Sequence, residues 1–146
     1  MIQRFESFVA GITVCYKYIQ RIKSIEMVEL GLKGTHAMCL FHLHRHPEGL
    51  TAAQLSSLCG EDKAAISRTV ADLRQQQLLT PQSDKHYRAP LQLTDQGCAV
   101  SQRVEQIIEQ WVTAGGDGLT EQQRTDFYQS LSMIAANLKN KMDSSK

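Results

Sequence analysis

The segment 49–79, GLTAAQLSSLCGEDKAAISRTVADLRQQQLL, constrains the fold more than any other part of the chain. Thr51 opens the sequence TAAQ, which has the form of a capping box: a hydroxyl and an amide satisfy the first free amides of a helix. Gly60 is suited to end that helix, and Asp62 can cap a second one. The segment therefore predicts two short helices joined by a tight turn at 59–61.

The second of these helices, predicted over 62–77, has an unusual outward surface. Opposite its apolar stripe of Ile66, Val70 and Leu73, it carries small residues around one arginine, where a solvated helix usually carries Glu and Lys. Small side chains let a helix approach the base edges of the DNA major groove. Arg68 can contact a guanine or a phosphate. The predicted DNA-binding residues here are Lys63, Ala64, Ser67, Arg68 and Arg74, with Lys63 and Arg74 on phosphates. The alternative is that the alanines pack against another helix of the same protein.

The segment 78–94 changes character and predicts a small hairpin, or wing, over 80–92. Leu91-Gln92-Leu93 alternates apolar and polar residues, and Ser83-Asp84 is a turn signal. Pro90 limits the second strand to an edge or a bulge. Lys85, His86 and Arg88 on this hairpin are predicted to follow the DNA backbone or enter the minor groove. A solvated hairpin is the alternative.

Long amphipathic helices flank this central region. Apolar residues at spacings of three and four predict a first helix over 3–29. A short apolar helix is predicted from Ala37, with Thr35 as its cap, and Thr94 and Thr120 are placed to cap two further helices. The predicted fold class is mainly α (α+β), a winged helix-turn-helix with N- and C-terminal dimerisation helices. The predicted divisions are 1–34 (dimerisation), 35–98 (DNA binding) and 99–146 (dimerisation). The outer helices lack an obvious shelter within one chain, so they are expected to pair with a second copy.

The central segment, followed by YRAPLQLTDQG, strongly resembles the MarR (multiple antibiotic resistance regulator) family. The shared pattern is leucine-threonine-x-x-x-leucine, a glycine turn, aspartate-lysine, serine-arginine-x-valine, and leucine-threonine-x-x-glycine after the wing. The resemblance implies a homodimeric transcriptional regulator, usually a repressor, bound to a palindromic operator on double-stranded DNA. It also implies a small-molecule effector as a partner that can release the DNA. The wing SDKHYRA departs from the family's longer acidic-and-arginine loop, which leaves open whether Lys85 or Arg88 enters the minor groove.

Four residues are candidates for an effector pocket or sensor: Cys15, Tyr16, His36 and Cys39. The sequence contains four cysteines without a CxxC pair, which favours free thiols. One branch of the family, the organic-peroxide sensors, has a reactive cysteine near the position of Cys15, but TVCYKY does not reproduce its surroundings. The histidines of FHLHRHP cannot alone complete a tetrahedral zinc site, so no metal is predicted.

The net charge of +1 argues neither for nor against a nucleic-acid partner, so that prediction depends on local arrangement. The absence of a long apolar run predicts no membrane partner, and a cytoplasmic protein. No paired carboxylate, nucleophile elbow or phosphate loop is present, so we expect neither an enzyme nor a cofactor. Two alternatives stay open: a redox- or metal-responsive regulator of the same fold, and a winged-helix protein-interaction module without DNA binding.

Overall fold

The computed structural model describes residues 1–82 and 89–145. Its helices are α1 (Ile2–Glu29), α2 (His36–His44), α3 (Ala52–Cys59), α4 (Lys63–Gln75), α5 (Asp95–Gly115) and α6 (Glu121–Asp143). The predicted order of helices and the mainly helical class are confirmed. The chain divides into two compact units, Met1–Ile108 and Glu109–Lys146.

The ends of α3 and α4 are set by the residues that the sequence indicated. The Thr51 hydroxyl accepts from the Gln54 amide at 3.2 Å, and the Gln54 side chain accepts from the Thr51 amide at 2.9 Å, which completes the capping box. Gly60 follows α3 in the left-handed region, with φ of 66°. Asp62 Oδ1 accepts from the Ala65 amide at 2.7 Å and caps α4. These short-range bonds fix the turn between the two helices.

The predicted cap at Thr35 is wrong. Thr35 precedes α2 with helical angles, φ −65° and ψ −21°, and its side chain makes no capping hydrogen bond. A capping hydroxyl acts from an extended backbone, which Thr35 does not adopt. The start of α2 is instead held by the His36 ring, whose Nδ1 accepts from the Lys33 amide at 3.3 Å.

The hydrophobic core of the first unit lies where α2, α3 and α4 meet. The sequence of α3 favours burial of both Leu55 and Leu58. Leu55 is fully buried, whereas Leu58 is 45% exposed, so the expectation for Leu58 is wrong. Leu58 follows Leu55 by three residues, which places it about 60° from Leu55 around the helix axis, at the edge of the buried side of α3. The other core residues that the helices bury most deeply are Met27, Leu40, Leu43, Ile66, Leu73 and Val104.

The arms of the predicted hairpin pair with each other. Leu79 and Leu93 form an antiparallel bridge, and the Thr80 amide donates to the Gln92 carbonyl at 2.9 Å. A second antiparallel bridge joins Leu91 to Leu50, ahead of α3. The paired regions in the described residues are isolated bridges rather than extended strands. These two bridges bring the backbone at Leu50, Leu79, Leu91 and Leu93 together at the base of the predicted wing.

The second unit contains the end of α5 and the whole of α6. Thr120 caps α6 as predicted and forms a capping box with Gln123: the hydroxyl accepts from the Gln123 amide at 3.2 Å. In the preceding glycine-rich turn, the Gly116 carbonyl accepts from Arg124 Nη2 at 2.9 Å. None of the α6 residues is buried within the chain.

Candidate nucleic-acid interface

The α4 helix is divided into a buried face and an exposed face. Ile66, Val70 and Leu73 are buried against the core, as the periodicity of the apolar residues predicted, and Thr69 is buried with them. The exposed face carries Lys63, Ala64, Ser67, Arg68 and Ala71. The sequence-predicted groove residues at the start of this helix are therefore brought together on one surface.

Two unpaired cations lie on this exposed face. Neither Lys63 nor Arg68 forms an ion pair with any residue of the described part of the chain. The alanines between them leave no bulky side chain to hold a partner away from the helix backbone. A rigid anionic partner could thus approach the backbone closely and meet both cations at once.

Arg74 differs from these two cations. It is half-buried, its Nε donates to the Thr80 carbonyl at 3.4 Å, and its Nη1 donates to Gln82 Oε1 at 3.3 Å. The guanidinium therefore ties the end of α4 to the first arm of the wing. The sequence suggested a phosphate contact and gave no sign of this bracing position, because the acceptors belong to the loop that follows.

Of the predicted wing residues, Lys85, His86 and Arg88 lie outside the described residues. Their predicted DNA contacts stay a prediction.

A polar cluster braces the end of α4 that faces α2. Asp72 Oδ2 accepts from Lys33 Nζ at 2.6 Å and lies 3.4 Å from His36 Nε2. The hydrogen bond from Lys33, and then that from His36, lower the pKa of Asp72. Burial lowers the pKa of His36, against the opposing effect of Asp72. This cluster was missed in the sequence, because Lys33 and His36 lie more than thirty residues from their partner.

The four predicted effector-pocket residues do not come together. Cys15 and Tyr16 are exposed on α1, whereas His36 and Cys39 are buried on α2. A cavity of about 370 Å³ lies between the α1–α2 connection, α2 and α4, and of the four residues only Cys39 lines it. Arg68 also lines this cavity, so its space adjoins the exposed face of α4.

The histidine-rich end of α2 packs against its neighbours. His44 Nε2 lies 3.5 Å from Glu105 Oε2, and Arg45 Nη1 lies 3.1 Å from Glu105 Oε1, which links α2 to α5. His46 Nδ1 lies 2.8 Å from the His42 carbonyl oxygen. Among the residues that the structure describes, no group of three or more His, Cys, Asp and Glu side chains is placed to hold a metal ion.

Solved structures share this fold. A MarR-family regulator from Listeria monocytogenes, described as putative and complexed with a 26mer DNA, superposes with a TM-score of 0.82 at 19% identity, over 91% of this chain and 89% of that one. A MarR regulator from Methanosarcina mazei Go1 gives 0.79 at 21% identity, over 92% and 91%. MepR from S. aureus, also in a DNA complex, gives 0.78 at 14% identity, over 88% and 96%. These likenesses establish the winged helix-turn-helix fold of transcriptional regulators.

A likeness to a known family is found in the sequence of the central region. A MarR-family model matches residues 30–88, which include α2, α3, α4 and the first part of the wing. The central region is therefore similar to the MarR family, and the resemblance drawn from the sequence is confirmed. A comparison of the sequence with curated proteins gives no match. In residues 1–82 and 89–145, no helix is long and apolar enough to span a membrane.

Proposed function

We propose that this protein is a homodimeric transcriptional regulator that represses by occupying a palindromic operator. The observation that carries the proposal is the exposed face of α4, where Lys63 and Arg68 flank small residues without ion-pair partners in the described structure. The DNA complexes of the Listeria and S. aureus relatives support the same use of this fold.

In the proposed complex α4 lies in the major groove. Its N-terminal turn places Lys63 at the DNA backbone, and Ala64 and Ser67 close to the base edges. Arg68 is one turn further along and is long enough for a bidentate contact with guanine, worth about 1–3 kcal/mol of discrimination between bases. The core packing of Ile66 and Leu73 behind this face holds the helix rigid, so that recognition does not require ordering of the element.

A homodimer is supported by the apolar surface of the outer helices. On α1 the exposed apolar side chains recur along its length, and none of the α6 residues is buried. Apolar surfaces of this extent on separate chains are typical of obligate association. The exposed residues that supply them are Ile2, Phe5, Val9, Ile12, Ile19 and Val28 on α1, and Phe127, Met133, Leu138 and Met142 on α6. Two-fold symmetry would then present two α4 helices to one DNA face, about 34 Å apart.

The cavity beside α4 is a candidate location for the proposed release by a small molecule. The cavity beside α4 is large enough for a small aromatic or carboxylate compound and is lined by Lys33, Arg68 and Asp72. A compound bound there would engage Arg68 and so compete with its contact to DNA. Ligands that bind the DNA-free state more tightly shift the population away from the operator complex.

The experiment that tests the proposal is selection of duplexes from random sequence by the purified protein, followed by binding measurements at several salt concentrations. We expect a palindrome with half-sites one helical turn apart. Affinity should fall steeply with salt, because each neutralised phosphate releases counterions. A protein-interaction module without DNA binding would enrich no sequence.

Variants of α4 locate the contact. Arg68→Ala should weaken operator binding by about 1–3 kcal/mol for each half-site while leaving the oligomeric state unchanged, whereas Arg68→Lys should retain salt-dependent binding with relaxed sequence preference. Arg103→Ala on α5 is the matched control, because Arg103 is also exposed and makes no ion pair with the described residues. Equal losses in Arg68→Ala and Arg103→Ala would show that charge alone, rather than the α4 surface, supports binding.

A further inference from the structure

Two of the four cysteines meet inside the helix-turn-helix. Cys39 in the middle of α2 and Cys59 at the end of α3 have their sulfur atoms 3.7 Å apart. A disulfide requires a separation of about 2.05 Å, so the sulfurs need to approach by only about 1.7 Å. Cys15 and Cys98 are exposed and have no sulfur partner in the described residues.

The two thiols are inequivalent. Cys39 is 2% exposed, whereas Cys59 is half-buried. The hydrogen bond from Cys39 lowers the pKa of the Cys59 thiol, aided by the charge of Lys23 and against the effects of burial and of the Glu61 charge. The same hydrogen bond and burial raise the pKa of Cys39. Cys59 is thus the thiol suited to attack an oxidant, and Cys39 is suited to react second.

A small oxidant can reach this pair. Cys39 lines the cavity beside α4 together with Glu61, two residues after Cys59. The half-buried Cys59 is itself accessible from solvent. Cys39 and Cys59 therefore lie close to each other at a place that a small oxidant can enter.

We propose that Cys39 and Cys59 are a modification site, oxidised by hydrogen peroxide or a small organic hydroperoxide to a disulfide within one subunit, which weakens operator binding. Formation of the disulfide is argued from the thiol pair alone, whereas the effect on operator binding rests on the proposed function.

The chemistry balances in two steps. The Cys59 thiolate attacks one peroxide oxygen, the O–O bond breaks, and the product is a sulfenic acid at Cys59, with water or an alcohol leaving after protonation. The Cys39 sulfur then attacks the Cys59 sulfur, an S–S bond forms, the S–O bond breaks, and the Cys39 proton leaves with the hydroxyl as water. Two thiols are oxidised and one peroxide is reduced.

The location of Cys59 connects this chemistry to α4. Cys59 immediately precedes Gly60, and the following Glu61 carbonyl accepts from the Ser56 hydroxyl at 2.5 Å. Drawing Cys59 toward α2 therefore moves the turn that leads into the Asp62 cap of α4. We expect an affinity loss of roughly tenfold, within the range typical of coupling between sites.

The first test uses the Cys15→Ser/Cys98→Ser background, so that only the pair remains. Titration with hydrogen peroxide should remove the mass of two hydrogen atoms from each chain, without disulfide-linked dimers, and dithiothreitol should restore it. In this background Cys59→Ser should no longer form the disulfide. Cys39→Ala should lose the same reaction, and it replaces Cys59→Ser if circular dichroism shows that Cys59→Ser does not fold. An unchanged mass, oxygen adducts alone, or cross-linked chains would overturn the disulfide.

The second test measures binding of the same protein to the selected duplex before and after oxidation. Weaker binding of the oxidised form, reversed by dithiothreitol and absent in Cys59→Ser, is the expected result. Equal binding of the reduced and the oxidised protein would overturn the proposed effect of oxidation on operator binding. If the reduced protein binds no duplex at all, the proposed function fails, while the mass measurement still decides whether the disulfide forms.

Discussion

Replacement of Gly97 by alanine should destabilise the protein, although alanine is the better helix former. Gly97 lies in the first turn of α5. The hydroxyl of Thr94, the residue before this helix, accepts from the Gly97 amide at 3.0 Å. A Cβ built on Gly97 would overlap the carbonyl oxygen of Leu78 and lie 3.0 Å from its carbonyl carbon and 3.2 Å from Leu93 Cδ2. The glycine of the leucine-threonine-x-x-glycine pattern is therefore explained by close packing of α5 on the base of the wing.

The overlap cannot be relieved cheaply. The Leu78 amide donates to the Leu73 carbonyl at 2.9 Å, and the Leu78 carbonyl accepts from the Thr94 amide at 3.0 Å, so both sides of this residue are held. Overpacking typically costs about 1–3 kcal/mol, and occasionally more, when backbone has to move. The gain in helix propensity from glycine to alanine is at most about 1 kcal/mol. Because the overlapping atom belongs to the backbone, the upper end of this cost applies, and the free energy of unfolding should fall by about 2 kcal/mol.

The assay is urea unfolding followed by far-ultraviolet circular dichroism, with Gly11→Ala as the matched control. Gly11 is also inside a helix, α1, but a Cβ there meets no atom within 4 Å. Gly11→Ala should leave the stability unchanged or raise it by up to about 1 kcal/mol. If Gly97→Ala is as stable as Gly11→Ala, the close approach of α5 to Leu78 is refuted.

Three further predictions concern the unit that contains α4. Asp62→Ala should lower the free energy of unfolding by about 0.5–2 kcal/mol through loss of the cap, and Asp62→Ser should recover most of it; thermal and urea midpoints measure both. Leu73→Ala should cost about 2–5 kcal/mol in urea unfolding, whereas Leu58→Ala, at a side chain 45% exposed, should cost clearly less. Burial holds the pKa of His36 below its ordinary value of 6.5, so the unfolded chain takes up this proton first as the pH falls. The stability that neutral His36 contributes is thus complete above pH 6.5 and declines below that pH. As the pH falls through this range, the urea midpoint should therefore decrease less in His36→Gln than in the wild-type protein.

The parts of the fold that sequence predicted well are governed by short-range chemistry. The Thr51 and Thr120 capping boxes, the Gly60 turn and the Asp62 cap each involve residues within a few positions of one another. The buried stripe of α4 follows from its helical period in the same way. Thr35 shows the limit of this reasoning, because a residue of the right type did not adopt the extended backbone that capping needs.

The parts that were missed depend on contacts between distant segments. The Asp72 cluster and the Cys39–Cys59 pair join residues 20 or more positions apart, and no local pattern marks such partners. Arg74 carried the right charge for a phosphate contact, but its partners in the following loop decide where its side chain lies. The candidate interface was predictable as a helix face, whereas the polar contacts that brace it were not.

The most direct test of DNA recognition by α4 combines one base change with one residue change. The base change is made in the selected operator, at the guanine whose replacement most weakens binding of the wild-type protein. The wild-type protein and Arg68→Ala are then each titrated, at fixed salt, with the original duplex and with the changed one. The account predicts that the base change costs the wild-type protein about 1–3 kcal/mol and costs Arg68→Ala almost nothing, because the side chain that reads the base is gone. The same loss in both proteins, at every guanine of the half-site, would contradict a base-reading Arg68 in the major groove.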